Sequence, residues 1–389
     1  MIVRDFLDWV RTAPASQRAE ATSALARAYL YSDLSADDAA AAEGAMLMLL
    51  DDASPLVRRA LADSLAASPS APPAIMLALT ADQPQIAAPV LALSPLLVDA
   101  DLVDAVATGG GVVQAAVASR AGLPRAVAAA IAEVGTAESC LVLLENPDAD
   151  LAAFSIERIA ERHGHLAAIR EELLARADVA AATRLTLVAK LSDTLAGFVA
   201  ERQWLDPDHA QRIAREACEK ATLVLAAAAP TPQMRPLVHH LRASGQLTGG
   251  LVLRALLCGN IALFEEALSE LTDMPLERVS RLVHDGGNTG LRALFGQAGL
   301  PPSTYPAFKE AIGAMHEGGF NSEPGGGARL KRRMIERVLT RCEDEMPGEV
   351  EPLLTLLRRF ATEAAREEAR LFCDELVAEA YQDEQSEAA

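Results

Sequence analysis

Aromatic side chains are scarce in this chain of 389 residues, at 4% of the total. The core must therefore be built from Ala, Leu, Val and Ile. Lysine is scarcer still: Lys190, Lys220, Lys309 and Lys331 are the only four, so 31 of the 35 basic residues are Arg. Codon bias in a GC-rich genome, which also favours Ala, explains that imbalance better than a dedicated arginine chemistry. Cys140, Cys218, Cys258, Cys342 and Cys373 are odd in number and far apart, with no CxxC. That pattern argues against a disulfide framework and a zinc site and for buried free thiols. Positive charge is in deficit, with a net charge of −19. Such a surface repels nucleic acid and anionic membrane unless a basic patch is segregated. No stretch approaches the roughly 18 apolar residues of a membrane span. Met1-Ile2-Val3-Arg4-Asp5-Phe6-Leu7-Asp8-Trp9 carries acids where a signal peptide needs a basic and then an apolar run. The expected location is the cytoplasm.

What is abundant points to helix. Half the chain is apolar, at 51%, with a mean hydropathy of +0.15. That is ample for a large core and for two or three domains. Abundant Ala and few β-branched runs predict an all-α chain. A short phrase also recurs in the first half. Its clearest copy runs Asp52-Ala53-Ser54-Pro55-Leu56-Val57-Arg58-Arg59-Ala60-Leu61-Ala62-Asp63-Ser64-Leu65, with an acid and a proline opening a helix and Val57, Leu61 and Leu65 at i, i+4 and i+8. Looser copies begin near Asp82-Gln83-Pro84, Gly111-Val112-Val113 and Asn146-Pro147-Asp148. Setting Val57 against Ile86, Val113 and Leu151 gives steps of 29, 27 and 38 residues. Repetition on this scale marks stacked helical hairpins, none of which buries its apolar face alone. The pattern resembles HEAT-type repeats, with shorter and less regular periods. The expected fold is an α-solenoid of HEAT-like helical hairpins followed by a second all-helical domain.

The pattern changes near residue 190. Residues 1–190 read as the repeat domain. Longer amphipathic helices then form a second all-α domain over 191–320: 182–201, 208–228, 232–244, 248–258, 261–271 and 275–284. Residues 321–328 read as a glycine-rich linker, 329–381 as a C-terminal helical pair, and 382–389 as a disordered polar tail.

Several strings in the second half are recognisable: Leu237-Val238, Leu241, Ser244-Gly245-Gln246-Leu247-Thr248; Leu253-Arg254-Ala255-Leu256-Leu257-Cys258-Gly259-Asn260; and Gly290-Leu291-Arg292-Ala293-Leu294-Phe295 through Gly299-Leu300-Pro301. Together with Asn146-Pro147 and Glu157-Arg158-Ile159-Ala160-Glu161-Arg162, they resemble the bacterial family known as domain of unknown function 2336, over roughly residues 20–320. The resemblance implies a helical, HEAT-like bacterial protein and transfers no catalytic residue.

The residues offer few chemical constellations. The strongest is His284-Asp285-Gly286-Gly287-Asn288-Thr289-Gly290-Leu291-Arg292, a glycine-rich turn opening onto a helix. Free backbone N–H groups at such a helix start can hold an anion, with Arg292 one turn on and His284 and Asp285 beside it. The plainer alternative is a glycine stop followed by an ordinary N-cap. A P-loop would need the pair Lys-Ser/Thr after the glycines, and a Rossmann turn a strand before them; the chain lacks both here. His163 and His165 lack partners at zinc-site distances, and His239 and His240 diverge on one helix. A second candidate is the basic helix containing Arg329, Lys331, Arg332, Arg333 and Arg337, which either docks a partner or pairs with the acidic helix at 363–379. No cofactor, metal ligand or catalytic residue is expected. The leading expectation is a non-enzymatic protein–protein interaction scaffold or adaptor, its partner another protein. The alternative is a ligand-responsive regulator that binds a small anion at 284–292. A helical-repeat enzyme acting on nucleic acid comes third, because phosphate neutralisation needs a basic groove that a −19 chain is not expected to supply.

Overall fold

The computed structural model describes residues 9–10, 12–285, 288–318, 326–345 and 351–387. The described chain is all α: twenty-one helices with defined bounds and one short 3-10 turn, with no strand among the described residues. It divides into two compact units, Met1–Leu195 and Ala196–Ala389.

The first unit holds α1 (Ala15–Tyr31), α2 (Ala36–Leu49), α3 (Pro55–Leu65), α4 (Pro73–Thr80), α5 (Pro84–Leu93), α6 (Asp99–Thr108), α7 (Gly111–Ala118), α8 (Arg125–Val134), α9 (Ala137–Glu145), α10 (Ala153–His163), α11 (Ala167–Ala175) and the start of α12 (Ala181–Glu201). Proline at the first helical position of α3, α4 and α5 gives up an N–H that would have had no partner and presets φ. The helices pack in two rows. One row runs α1, α3, α5, α7, α9, α11, each against the next; in the other, α6 packs on α8 and α8 on α10.

The rows explain the uneven repeat. In α3, α5, α7, α9 and α11 the third helical residue points inward: Val57, Ile86, Val113, Ser139 and Ile169 are all buried. Those positions step by 29, 27, 26 and 30 residues. The fourth copy of the phrase, set by sequence at Leu151, is out of register. Leu151 is only partly buried and precedes its helix, and the inward third position of α10 is Ser155. Moreover, α10 belongs to the other row. The 38-residue step came from aligning helices of different rows.

Polar side chains tie several of these helices to one another. Arg120 donates to Leu91 O and Ser94 O at the end of α5, at 2.5 and 2.8 Å. Arg162 donates to Ala132 O and Gly135 O at the end of α8, both at 2.8 Å. Asn146 Nδ2 donates to Ala118 O and Arg120 O at 2.8 Å. Each meets carbonyls that a helix C-terminus leaves unpaired, and the arginines also answer its partial negative charge. Arg18–Asp52 and Arg58–Asp82 are bidentate pairs between neighbouring turns of the stack. Part of the arginine excess is therefore structural.

The second unit contains the rest of α12, then α13 (Pro207–Ala228), α14 (Thr231–Ala243), α15 (Gly249–Leu257), α16 (Ile261–Thr272), α17 (Leu276–His284), α18 (Asn288–Gln297), α19 (Tyr305–Gly318), α20 (Gly326–Glu345) and α21 (Glu351–Glu387). At its centre α15 is buried on every side, from Leu251 through Leu257. Thr248 caps its start by accepting from Leu251 N, and Gly259, at φ +76°, ends it in the left-handed region that favours glycine. Phe264, Phe295 and Phe308 cluster beside it, with ring centroids 4.7–6.4 Å apart. α20 packs on α19 and against α21. Residues 326–328 of the expected linker are already helical, and the rest of it lies outside the described residues. α21 runs on to Glu387, through most of the tail expected to be disordered, and only residues 388–389 of that tail lie outside the described residues.

Candidate functional site

Of the candidate residues at 284–292, the side chains of His284, Asp285 and Arg292 are among the described ones. α17 ends at His284, and the Asp285 N–H closes it by donating to Arg281 O at 2.8 Å. His284 Nε2 stands 3.0 Å from Glu265 Oε1 on α16, an oxygen that also accepts from Ser280 Oγ at 3.1 Å. Arg292, on α18, lies with its guanidinium 5.9 Å from the Tyr305 ring centre. His284 and Arg292 are thus each engaged by a neighbour in the fold. Gly286 and Gly287 lie outside the described residues, and Asn288 is the first residue of α18, described only in its backbone.

The basic helix is largely answered by the acids of α21. Lys331 Nζ is 2.6 Å from Glu367, and Arg332 pairs with Glu336 at 2.7 Å and Glu368 at 3.1 Å. Arg333 and Arg337 are exposed, and Arg329 is described only in its backbone.

A third place, outside the main groups of both sequence candidates, is a cavity of about 580 Å³ inside the second unit. Four helices wall it. α13 contributes Lys220, Leu223, Val224 and Ala227, spaced i, i+3, i+4 and i+7 along one face. The end of α15 contributes Arg254 and Leu257, followed by Cys258; α20 contributes Lys331 and Ile335. α21 contributes Phe360, Glu363, Arg366, Glu367, Arg370 and Leu371. The volume falls within the range of small-ligand sites, about 300–1,000 Å³.

Arg254 is its central feature. It is only 3% exposed. Its Nη2 donates to Glu363 Oε2 at 2.6 Å, and its guanidinium lies over the Phe360 ring, 4.3 Å from the centroid. Its Nη1 has no hydrogen-bond partner. The nearest acid, Glu219 Oε2, stands at 3.6 Å, beyond hydrogen-bond reach. Glu363 turns its other oxygen to Lys220 Nζ, 3.4 Å away. Burial pushes the Glu219 carboxyl up, against the pull of Arg254 and Arg359. Burial likewise pushes the Cys258 thiol up, although Lys331 and Arg254 draw it down. Burial works to lower Lys331, but Cys258 and the bonded Glu367 outweigh it and hold the ammonium above its ordinary value.

The lining thus brings five cations and two carboxylates together in a chain of net charge −19. Arg366 and Arg370, one helical turn apart, have no ion pair among the described residues. Leu223, Val224, Ala227, Leu257, Ile335, Phe360 and Leu371 supply an apolar floor and wall. One signal for this site does stand in the sequence: Arg254 is the single charge in the apolar run Leu251–Leu257.

A model for a family described as an uncharacterised protein conserved in bacteria, DUF2336, matches residues 86–347, about two thirds of the chain. The match spans three cavity walls, those of α13, α15 and α20, and stops short of α21. No curated protein and no solved structure matches the chain significantly.

Proposed function

The chain belongs to the bacterial family DUF2336, and we propose that it is a non-enzymatic regulatory binding protein whose second unit receives a small anion in the cavity around Arg254. The observation that supports this reading is Arg254 itself: a guanidinium 3% exposed, lining a cavity, with one nitrogen left without a hydrogen bond. A buried, unanswered N–H of a charged group is costly, and a ligand oxygen would answer it. The surplus of cations in the lining favours a negative ligand over a neutral one. Burial pushes the thiol of the cavity's Cys258 up, away from the thiolate that a nucleophile needs, although Lys331 and Arg254 draw it down. A binding role therefore suits the cavity better than covalent catalysis. The regulator reading expected from the sequence is retained, with its site moved from 284–292 to the Arg254 cavity.

Binding at this site is tested by calorimetry of the whole chain against a panel of small anions, alongside the Ala227→Trp variant. Ala227 is exposed and lines the cavity, so a tryptophan there fills the space and leaves the core alone. Expected is saturable binding of at least one anion that Ala227→Trp weakens tenfold or more. Anion binding that the variant leaves unchanged would place the ligand elsewhere.

The scaffold reading keeps one observation in its favour. Leu371, Phe372, Leu376 and Val377 on α21 are each 46–55% exposed. A cluster of that kind is a surface a partner protein would cover. Capture of a partner from the native cell that Phe372→Glu abolishes would support an adaptor role alongside the ligand site.

A further inference from the structure

The chemistry of the lining says which anion the cavity takes. Resting on the anion-receptor reading above, we propose that the ligand is a small soluble phosphate monoester with an apolar body, its phosphate among Arg254, Lys331, Arg366 and Arg370 and its apolar part on Leu223, Val224, Ala227 and Leu371.

Two observations lead there. The first is charge balance. Lys220, Arg254, Lys331, Arg366 and Arg370 line the cavity together with Glu363 and Glu367, and Glu219 stands 3.6 Å from Arg254. Glu363 is shared by Arg254 and Lys220, and Glu367 is taken by Lys331. Arg366 and Arg370 have no ion pair among the described residues, and Nη1 of Arg254 has no hydrogen bond, its counter-charge being Glu219 at 3.6 Å. With Glu219 counted, five cations meet three carboxylates, so a dianion balances the surplus and a monoanion leaves half of it standing. A phosphate monoester near neutral pH brings close to two charges and three acceptor oxygens, which suit several guanidinium donors at once. The second is the split of the surface. The apolar residues of α13 recur at i, i+1 and i+4 (Leu223, Val224, Ala227), while Arg366 and Arg370 come one turn apart from α21. Inorganic phosphate would leave the apolar wall unused, and an alcohol would leave the guanidinium groups unused.

The experiment is calorimetry on the full chain with four probes: octyl phosphate below its micelle concentration, inorganic phosphate, octanoate and octanol. Expected is that octyl phosphate binds at least tenfold more tightly than each of the others. The double variant Arg366→Gln, Arg370→Gln should weaken octyl phosphate at least tenfold while leaving octanol unchanged. Both positions are exposed, so the double variant should keep its circular dichroism and melting temperature, and loss of binding is then not loss of fold. If octanoate binds as tightly as octyl phosphate and the double variant changes nothing, the phosphate class is wrong while the anion cavity stands. If no anion of the wider panel binds, or if Ala227→Trp leaves every affinity unchanged, the cavity reading falls too. Vesicles of phosphatidylcholine containing phosphatidic acid form the last arm. Retention on them without binding of octyl phosphate would mean that a lipid surface, not a soluble ligand, presents the phosphate, and would overturn the proposal.

Discussion

Ser155 has a fully buried hydroxyl with no hydrogen-bond partner. Removing an unanswered polar atom at almost constant volume relieves its desolvation cost, so Ser155→Ala should raise stability by about 0.5–2 kcal/mol in chemical unfolding. A clear loss would mean that the hydroxyl does find a partner. Arg254 is the opposite case. It is buried but bonded to Glu363 and stacked on Phe360. Breaking a buried pair from one side costs about 3–5 kcal/mol, so Arg254→Ala should lower the unfolding midpoint sharply. Asp52 gives the first unit a pH response. The Arg18 hydrogen bonds, then Ser54 N–H and the charges of Arg18 and Arg58, hold its carboxyl below the usual carboxylate range, against a smaller opposing effect of burial. A carboxyl depressed on folding contributes stability that is whole above its unfolded value, about 4, and is lost as pH falls through the lower folded value. Asp52→Asn should therefore destabilise the chain at pH 7 and make little difference at the acid end. Little of this was legible residue by residue. The lone charge of Arg254 in an apolar run marks it locally, but its partner Glu363 lies 109 positions away and leaves no local trace.

Helices were far more legible, since each is written in a short window by Ala content, apolar spacing and proline starts. The six helices expected between 182 and 284 lie within a residue or so of those observed. What the sequence did not disclose was which helices share a row. Copies were aligned by wording, and Leu151 was placed opposite Val57 although its helix starts two residues later in the other row. Periodicity reports which face of a helix turns inward and is silent on which neighbour that face meets. The corrected register has a measurable consequence. Leu61 is fully buried in α3, and Leu61→Ala should cost about 2–5 kcal/mol, the range for a packed core leucine. Leu151, only partly buried ahead of α10, should cost clearly less as Leu151→Ala. Equal losses would restore the original alignment. The turn at 284–292 shows a similar limit. Nothing in the local sequence discloses that Glu265 and Tyr305, distant in the chain, engage His284 and Arg292.

For the whole molecule the deciding quantity is charge. Binding to DNA at ordinary salt rests on phosphate neutralisation and counterion release, and its strength follows the number of cations that reach the backbone. The net charge of −19 opposes approach. The one basic run, on α20, does not offset it: Lys331 is committed to Glu367, and Arg332 to Glu336 and Glu368. An acid supplied by the chain itself therefore occupies much of the charge that a phosphate backbone would need. The cavity adds little: Arg254 is buried, Lys220 is paired with Glu363 and Lys331 with Glu367, which leaves Arg366 and Arg370 as two exposed cations on a helix rich in acids. Fluorescence anisotropy with labelled duplex and single-stranded DNA at about 150 mM salt should accordingly show no submicromolar binding. The comparison that gives this force is Glu367→Gln with Glu368→Gln, which frees Lys331 and Arg332 and should raise whatever weak, salt-sensitive binding exists. A submicromolar affinity in the unaltered chain, falling steeply as salt is added, would mean that the acids of α21 give way to phosphate and that the basic helix is a nucleic-acid surface after all.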